Sequence, residues 1–304
     1  MAEPERSARA GPADLSADPA VRRTLRVFGS VVAPATLLTS LLYYFGWTVT
    51  HASASYLGID ESVLGFSTQD YLLRSVNAVY WPLSVGLIAS ALALRGHITV
   101  MRAITKPHHR QRVAVLTVAL AVAGIGSVTY GALALHYGWV SAGDFSIAPL
   151  CLTAGVALFA YTMFIHERAG TGRAQPVTSA SGSGSLAAVA VALLIAVGLF
   201  WQVADWATAV GVGRTRDLVA RLDAQPRVTV YSAKRLDLAG AGGVTETTLS
   251  GADNAYHYQY AGLRLLFRSG GKYLLLSDQW TRADGRTILI SDAPDLRFEF
   301  APGG

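Results

Sequence analysis

Two stretches of this chain hold residues whose types and spacing could do chemistry. The first is "YLGIDESVLGFSTQDYLLRS", where Asp60, Glu61, Asp70 and Arg74 place three carboxylates and a guanidinium in one short segment. Such groups can form a polar recognition surface, and clustered carboxylates can also serve acid–base catalysis. The plainer reading is structural. Ser67 and Asp70 form the S-x-x-D variant of a helix start, and Asp70 and Arg74 stand at i and i+4, facing each other as a local ion pair. The second stretch is "AYHYQYAG", where period-two alternation sets Tyr256, Tyr258 and Tyr260 on one strand face and His257 with Gln259 on the other. A row of tyrosines is good strand chemistry, and it can also be a platform for a peptide or a glycan. His257 has no carboxylate or nucleophile at a recognisable spacing, so it reads as a surface residue. These eight residues are the candidate partner- or ligand-contacting positions. No catalytic residue, metal ligand or cofactor is expected.

Familiar catalytic patterns are missing from the sequence. It holds no H-E-x-x-H, G-x-S-x-G, Walker loop or C-x-x-C. "GIGSVTYG" (124–131) and "GVGR" (211–214) fail the spacing of a dinucleotide loop. His108 and His109 are adjacent without a third ligand, a weak metal signal. Cys151 is the single cysteine, so no intramolecular disulfide can form.

The elements that must position these groups are dominated by apolar runs. Of 304 residues, 52% are hydrophobic and 15% charged, and the mean hydropathy is +0.36, which points to a membrane protein. Crossing a hydrocarbon core of about 30 Å takes roughly 20 apolar residues. Five stretches qualify, at about 28–48, 76–94, 113–135, 146–165 and 186–204, none with a charged residue or histidine in its interior. The positive charge of the connecting segments alternates. Arg6, Arg9, Arg22, Arg23 and Arg26 precede the first span, and Arg95, Arg102, Lys106, Arg110 and Arg112 lie between the second and third. Arg168 and Arg173 follow the fourth, whereas the first loop has only Arg74 and the third ("HYGWVSAGDF") none. The positive-inside rule then places the N-terminus in the cytoplasm and the C-terminus outside. The net charge of +5 is spread over both halves of the chain, with no basic arm of the kind that binds nucleic acid.

Other features refine this outline. Residues 28–48 precede "ASA" at 52–54, but the apolar run is long for a cleaved leader and reads as an uncleaved signal anchor. Small residues at four-residue spacing, Ala119, Ala123, Ser127 and Gly131 in the third span and Ala188, Ala192 and Ala196 in the fifth, are candidate helix contacts. Trp47, Trp81, Trp139, Trp201 and Trp206 fall near span ends, as interfacial anchors do. Beyond the fifth span a helical rhythm continues to Pro226. The period then switches, and "RVTVYS", "LRLLFRSGGKYLLLS" with a Gly270-Gly271 turn, "TILIS" and "LRFEF" predict about six short strands in a small antiparallel sandwich or partly open barrel.

The expected organisation is a disordered cytoplasmic tail at 1–27, a five-helix transmembrane bundle at 28–210 with an outer loop at 49–75, a helical neck at 211–225, and an extracytoplasmic β domain at 226–304. The fold class is thus a membrane all-α bundle plus a small C-terminal antiparallel β domain. The two strings "YLGIDESVLGFSTQDYLLRS" and "YAGLRLLFRSGGKYLLL" together resemble a group of uncharacterised multi-pass membrane proteins of GC-rich Gram-positive bacteria. That resemblance implies one shared architecture and a bacterial cell membrane, and it implies no activity. Spans without ionisable groups argue against ion-coupled transport and intramembrane hydrolysis. The leading expectation is an envelope protein that acts by binding, as an accessory subunit or sensor, and not an enzyme. Its partners would be the lipid bilayer and either another envelope protein or a second copy of itself, without nucleic acid. A channel or transporter component lined by Thr117, Thr129 and Tyr130 is the alternative, with an envelope enzyme using the outer loop behind it.

Overall fold

The computed structural model describes residues 19–104, 110–138, 145–170, 182–251 and 255–304. Five long helices come first: α1 (Pro19–Tyr56), α2 (Thr68–Ile104), α3 (Arg110–Tyr137), α4 (Ala148–Gly170) and α5 (Gly182–Ala220). A 3₁₀ turn at Glu61–Leu64 separates α1 from α2. Among the described residues, four segments are long and apolar enough to cross a membrane: Ala78–Ile104, Gln111–Tyr137, Ala148–Arg168 and Leu186–Ala220. Four such segments are shown where five were expected. α1 is the remaining long helix, at 38 residues, and most of its side chains before residue 35 lie outside the description.

The helices extend past the expected boundaries. α1 begins at Pro19, inside the stretch read as tail, and α5 begins at Gly182, ahead of the fifth apolar run at 186–204. The neck is no separate element. α5 continues through it to Ala220, because nothing between Trp206 and Ala220 breaks a helix: Gly211 and Gly213 cost about 1 kcal/mol each, and the chain meets no proline before Pro226. Arg6, Arg9, Lys106, His108, His109, Trp139 and Arg173 lie outside the described residues.

The principal contacts arrange the helices in the order α2–α1–α5–α4–α3. Glycine marks each junction, since helices in lipid associate where backbones can approach closely. A Cβ on Gly46 would overlap the Tyr71 carbonyl of α2, and one on Gly211 would overlap the Val49 carbonyl of α1. At Gly198 it would strike the Thr153 hydroxyl of α4. Gly155 fits against Val128 and the Gly124 carbonyl of α3, and Ser127 donates to the Cys151 carbonyl at 2.7 Å. The expected rows are therefore corrected. Ser127 and Gly131 do face α4, but Ala119 and Ala123 are exposed, and Gly124 takes the contact. Ala188, Ala192 and Ala196 are all exposed, and α5 packs through Gly198 and Gln202 instead. Four-residue spacing alone drifts around a helix of 3.6 residues per turn, so it cannot say which row faces a neighbour.

The C-terminal residues form six antiparallel strands: β1 (Arg227–Ser232), β2 (Thr245–Thr248), β3 (Tyr258–Ser269), β4 (Lys272–Ser277), β5 (Thr287–Ser291) and β6 (Leu296–Ala301). They make one sheet of order β5-β4-β3-β1-β6, with β2 also paired to β3. β1 covers one edge of the first half of β3, so β2 and β4 share the other edge end to end. The handover falls at Gly262, whose φ of 81° and contact with the Gly243 carbonyl exclude a side chain. Of the two expected forms, the sandwich gives way to a single curled sheet. Tyr273 of β4 stacks on Phe298 of β6 at 4.1 Å although β3 and β1 run between them, so the sheet closes over a core of Val228, Val230, Tyr260, Leu263, Leu275 and Ile288.

The convex face of the sheet is buried too. Leu274, Leu276 and Trp280 pack against Ala54 of α1, Leu57 just beyond it, Leu64 of the 3₁₀ turn and Leu222 just beyond α5. Strand β4 is therefore covered on both faces, which explains why its sequence reads "YLLLS" without alternation. The Gly270-Gly271 turn, with φ of 55° and 70°, closes the β3–β4 hairpin as expected. It rests on the 3₁₀ turn, where a Cβ on Gly270 would come within 3.1 Å of the Gly65 carbonyl.

Candidate functional site

The segment between α1 and α2 and the β domain meet in one junction, and the candidates of that segment sit around it. Asp60 ends the bend after α1 and accepts the Ser62 N–H at 2.9 Å, capping the 3₁₀ turn. The Ser62 hydroxyl and N–H hold its carboxyl below the usual range. Glu61 turns back onto α1. One oxygen accepts the Trp47 indole N–H at 3.0 Å and the other meets His51 Nδ1 at 2.7 Å. Trp47 and His51, one turn apart, are stacked with ring centroids 5.1 Å apart. Burial pushes the Glu61 carboxyl up, but hydrogen bonds from His51, its own backbone and Trp47, with the His51 charge, outweigh it and leave it below its ordinary value.

Asp70 completes the expected helix start. Its carboxylate accepts the Ser67 N–H and hydroxyl, both at 2.8 Å, and its own N–H reaches the Ser67 hydroxyl at 3.3 Å. These bonds hold its carboxyl below the usual range. The expected Asp70–Arg74 ion pair does not form. Arg74 lies instead over the Phe66 ring, 4.2 Å from its centroid, and 5.7 Å from that of Phe267 in β3. An exposed i,i+4 pair is worth about 0.3–0.5 kcal/mol, whereas a desolvated cation over a ring can gain about 2. Burial pulls the Arg74 guanidinium below its ordinary value, and the positive Arg214 adds to the effect against Asp70.

Arg74 and Arg214 line the same cavity, of about 110 Å³, between α1, α2, α5 and β3. Its walls are largely apolar, with Leu57, Leu64 and Phe267 among them. The hydroxyls that reach it already donate to helix carbonyls: Thr50 to Gly46 at 2.9 Å, Ser53 to Gly211 at 3.1 Å and Thr215 to Gly211 at 3.0 Å. They offer acceptors only, so the two guanidiniums are the donors a guest would meet. None of Asp60, Glu61, Asp70 or His257 lines this cavity.

Three polar clasps fix the junction. Arg264, 8% exposed, pairs with Asp278 and donates to the Asp223 and Gln225 carbonyls at 2.7 and 3.0 Å. Thr287 donates to the Leu57 carbonyl and Lys272 to the Val63 carbonyl, both at 2.8 Å.

The tyrosine stripe divides. Tyr260 is fully buried in the sheet core and its hydroxyl accepts the Leu236 N–H at 2.7 Å. Tyr258 begins β3 and packs against the same core. Tyr256 precedes the strand, half-buried beside Tyr231, and His257 is exposed. The three rings thus do not form one open platform, because alternation on a curled sheet points the stripe into its concave side. Among the described residues no group of three or more His, Cys, Asp or Glu could hold a metal ion.

Sequence reasoning missed His51, Arg214 and Arg264 as members of this junction. Only the i+4 spacing of Trp47 and His51 was a usable signal, and it did not point to Glu61. Comparison with family models, curated proteins and solved structures returned no match. What the fold itself defines is a chain with helices long and apolar enough to cross a membrane and a C-terminal antiparallel β domain, a construction compatible with an envelope protein.

Proposed function

We propose that the chain is a five-span protein of the cell membrane, with its N-terminus in the cytoplasm, that acts by binding through its outer head. The observation that carries this is the burial of β4 on both faces: the β domain is packed onto the ends of α1 and α5 as one body with the outer loop. A rigid head on a membrane stem suits display or sensing, because geometry imposed outside is transmitted to the helices. Orientation rests on the alternation of Arg and Lys along the connecting segments. The resemblance to multi-pass proteins of GC-rich Gram-positive bacteria belongs to the same proposal, with another envelope protein or a second copy as partner. The channel reading gains nothing from Thr117 and Thr129, whose hydroxyls donate to the Val113 and Ile125 carbonyls of their own helix.

Cysteine labelling tests the orientation. With Cys151 replaced by Ser, a cysteine introduced at Pro302 should react with a membrane-impermeant thiol reagent in intact cells, and one at His108 should not. The reverse pattern overturns the proposal. Photocrosslinking from Tyr256 or His257 in native cells should then yield a discrete protein adduct; binding through this face is refuted by its absence.

A further inference from the structure

Two guanidiniums, Arg74 and Arg214, line the junction cavity. Among the described residues neither Arg74 nor Arg214 has a carboxylate within ion-pair distance, since Asp70 is held by Ser67 and Glu61 by His51 and Trp47. Arg74 is partly buried and loses solvation, and the like charge of the exposed Arg214 adds repulsion that the field of Asp70 offsets; an anion between the two guanidiniums would relieve both costs. The cavity volume of about 110 Å³ corresponds to roughly four water molecules, enough for a small tetrahedral anion. Through Arg214 and Leu218 it adjoins an open groove of about 390 Å³ outside α5, also lined by Asp217 and Arg221.

We infer that this cavity binds a phosphate group between Arg74 and Arg214. Geometry selects phosphate over carboxylate. A planar carboxylate presents two oxygens that a single guanidinium fork satisfies, whereas the oxygens of a tetrahedral phosphate diverge and can accept from forks on two helices. Arg74 comes from α2 and Arg214 from α5, so the guest would tie together two helices that both hold the head. The phosphate has two sources, the free anion or the headgroup of a phospholipid whose tails follow the apolar wall and the adjoining groove. The inference rests on reading the junction as the binding part of the molecule, but it does not depend on which side of the membrane the junction faces.

The full chain in detergent micelles can be tested by thermal unfolding with three probes at matched ionic strength: inorganic phosphate, dihexanoyl phosphatidylglycerol, and the matching diacylglycerol without phosphate. Either phosphate-bearing probe should raise the unfolding midpoint and the diacylglycerol should not. A response to inorganic phosphate assigns the free anion; a response to the phospholipid alone assigns the headgroup. Arg214→Gln, at an exposed position, should keep the fold and weaken the response about tenfold. Lys234→Gln removes an equal charge at the far side of the head and should respond as wild type. Arg74→Gln should show the same loss as Arg214→Gln, and its contact with Phe66 makes Arg214→Gln the deciding variant. Equal responses to all three probes, no response to any, or an unchanged response in Arg214→Gln would overturn the inference. Labelling from the wrong side in the cysteine experiment, with this response intact, would overturn the orientation alone.

Discussion

The middle of α2 and strand β4 are both apolar runs, and the structure treats them oppositely. Residues 85–96 of α2 ("VGLIASALALRG") are exposed at every position, with Leu87 at 65% and Leu92 at 66%. In β4, Leu275 and Leu276 are at 0%. A helical stretch exposed over three turns, and apolar except for Arg95 near its end, needs a solvent as apolar as itself, which lipid supplies. The strand is apolar on both faces because protein covers both, its own sheet core on one side and the helical stem on the other. Composition reports how apolar a segment is. Whether lipid or protein removes it from water is a separate matter of what stands next to it.

Perturbations should separate the two regions. The largest effect is expected at Arg264. Arg264→Ala leaves Asp278 unpaired beside the sheet and two carbonyls without donors, and should destabilise the head by about 3 kcal/mol in denaturant unfolding of the detergent-solubilised chain. Leu276→Ala should cost about 2–4 kcal/mol by opening a cavity between β4 and the stem. Leu92→Ala in α2 should leave the same transition in place, because its side chain is 66% exposed. A comparable loss at Leu92 would break the comparison, by showing that α2 is covered by another protein surface and not lipid.

At the joint between the regions the effects are smaller. Ser67→Ala removes the reciprocal cap at the start of α2 and should cost about 1 kcal/mol. Glu61 brings a pH dependence. Its folded carboxyl titrates below its unfolded value, so its contribution is complete above the ordinary carboxylate range and is lost as pH falls through the folded value. Glu61→Gln should therefore flatten the acid limb of the stability profile relative to wild type, while leaving the Leu276→Ala effect unchanged. An acid limb of the same slope in both chains would remove Glu61 from the joint.

Local chemistry was legible wherever a few neighbouring residues decide the conformation. Strands β1, β4, β5 and β6 follow their quoted strings, the Gly270-Gly271 turn closes its hairpin, and Ser67 with Asp70 starts α2. Each depends on torsion preferences or hydrogen bonds within about four residues. Partner choice was not legible. The i,i+4 spacing predicted that Arg74 would face Asp70, but the folded chain offers Phe66 and Phe267, the latter distant in sequence. The alanine rows of α3 and α5 had the right composition and the wrong face, because helix contact depends on where glycines let two backbones approach. The tyrosine stripe kept its alternation, yet the curl of the sheet turned Tyr260 inward.

By itself the sequence determined the apolar lengths, the charge alternation and the strand-and-turn pattern, since these are properties of short segments and their solvent preferences. Only the tertiary structure decided that the head is packed onto the stem, that Glu61 meets Trp47 and His51, and that Arg74 and Arg214 share one cavity. Those juxtapositions join residues far apart in the chain, and they follow from the close approach of α1, α2 and α5 and from a sheet with two apolar faces to bury, which no local pattern encodes.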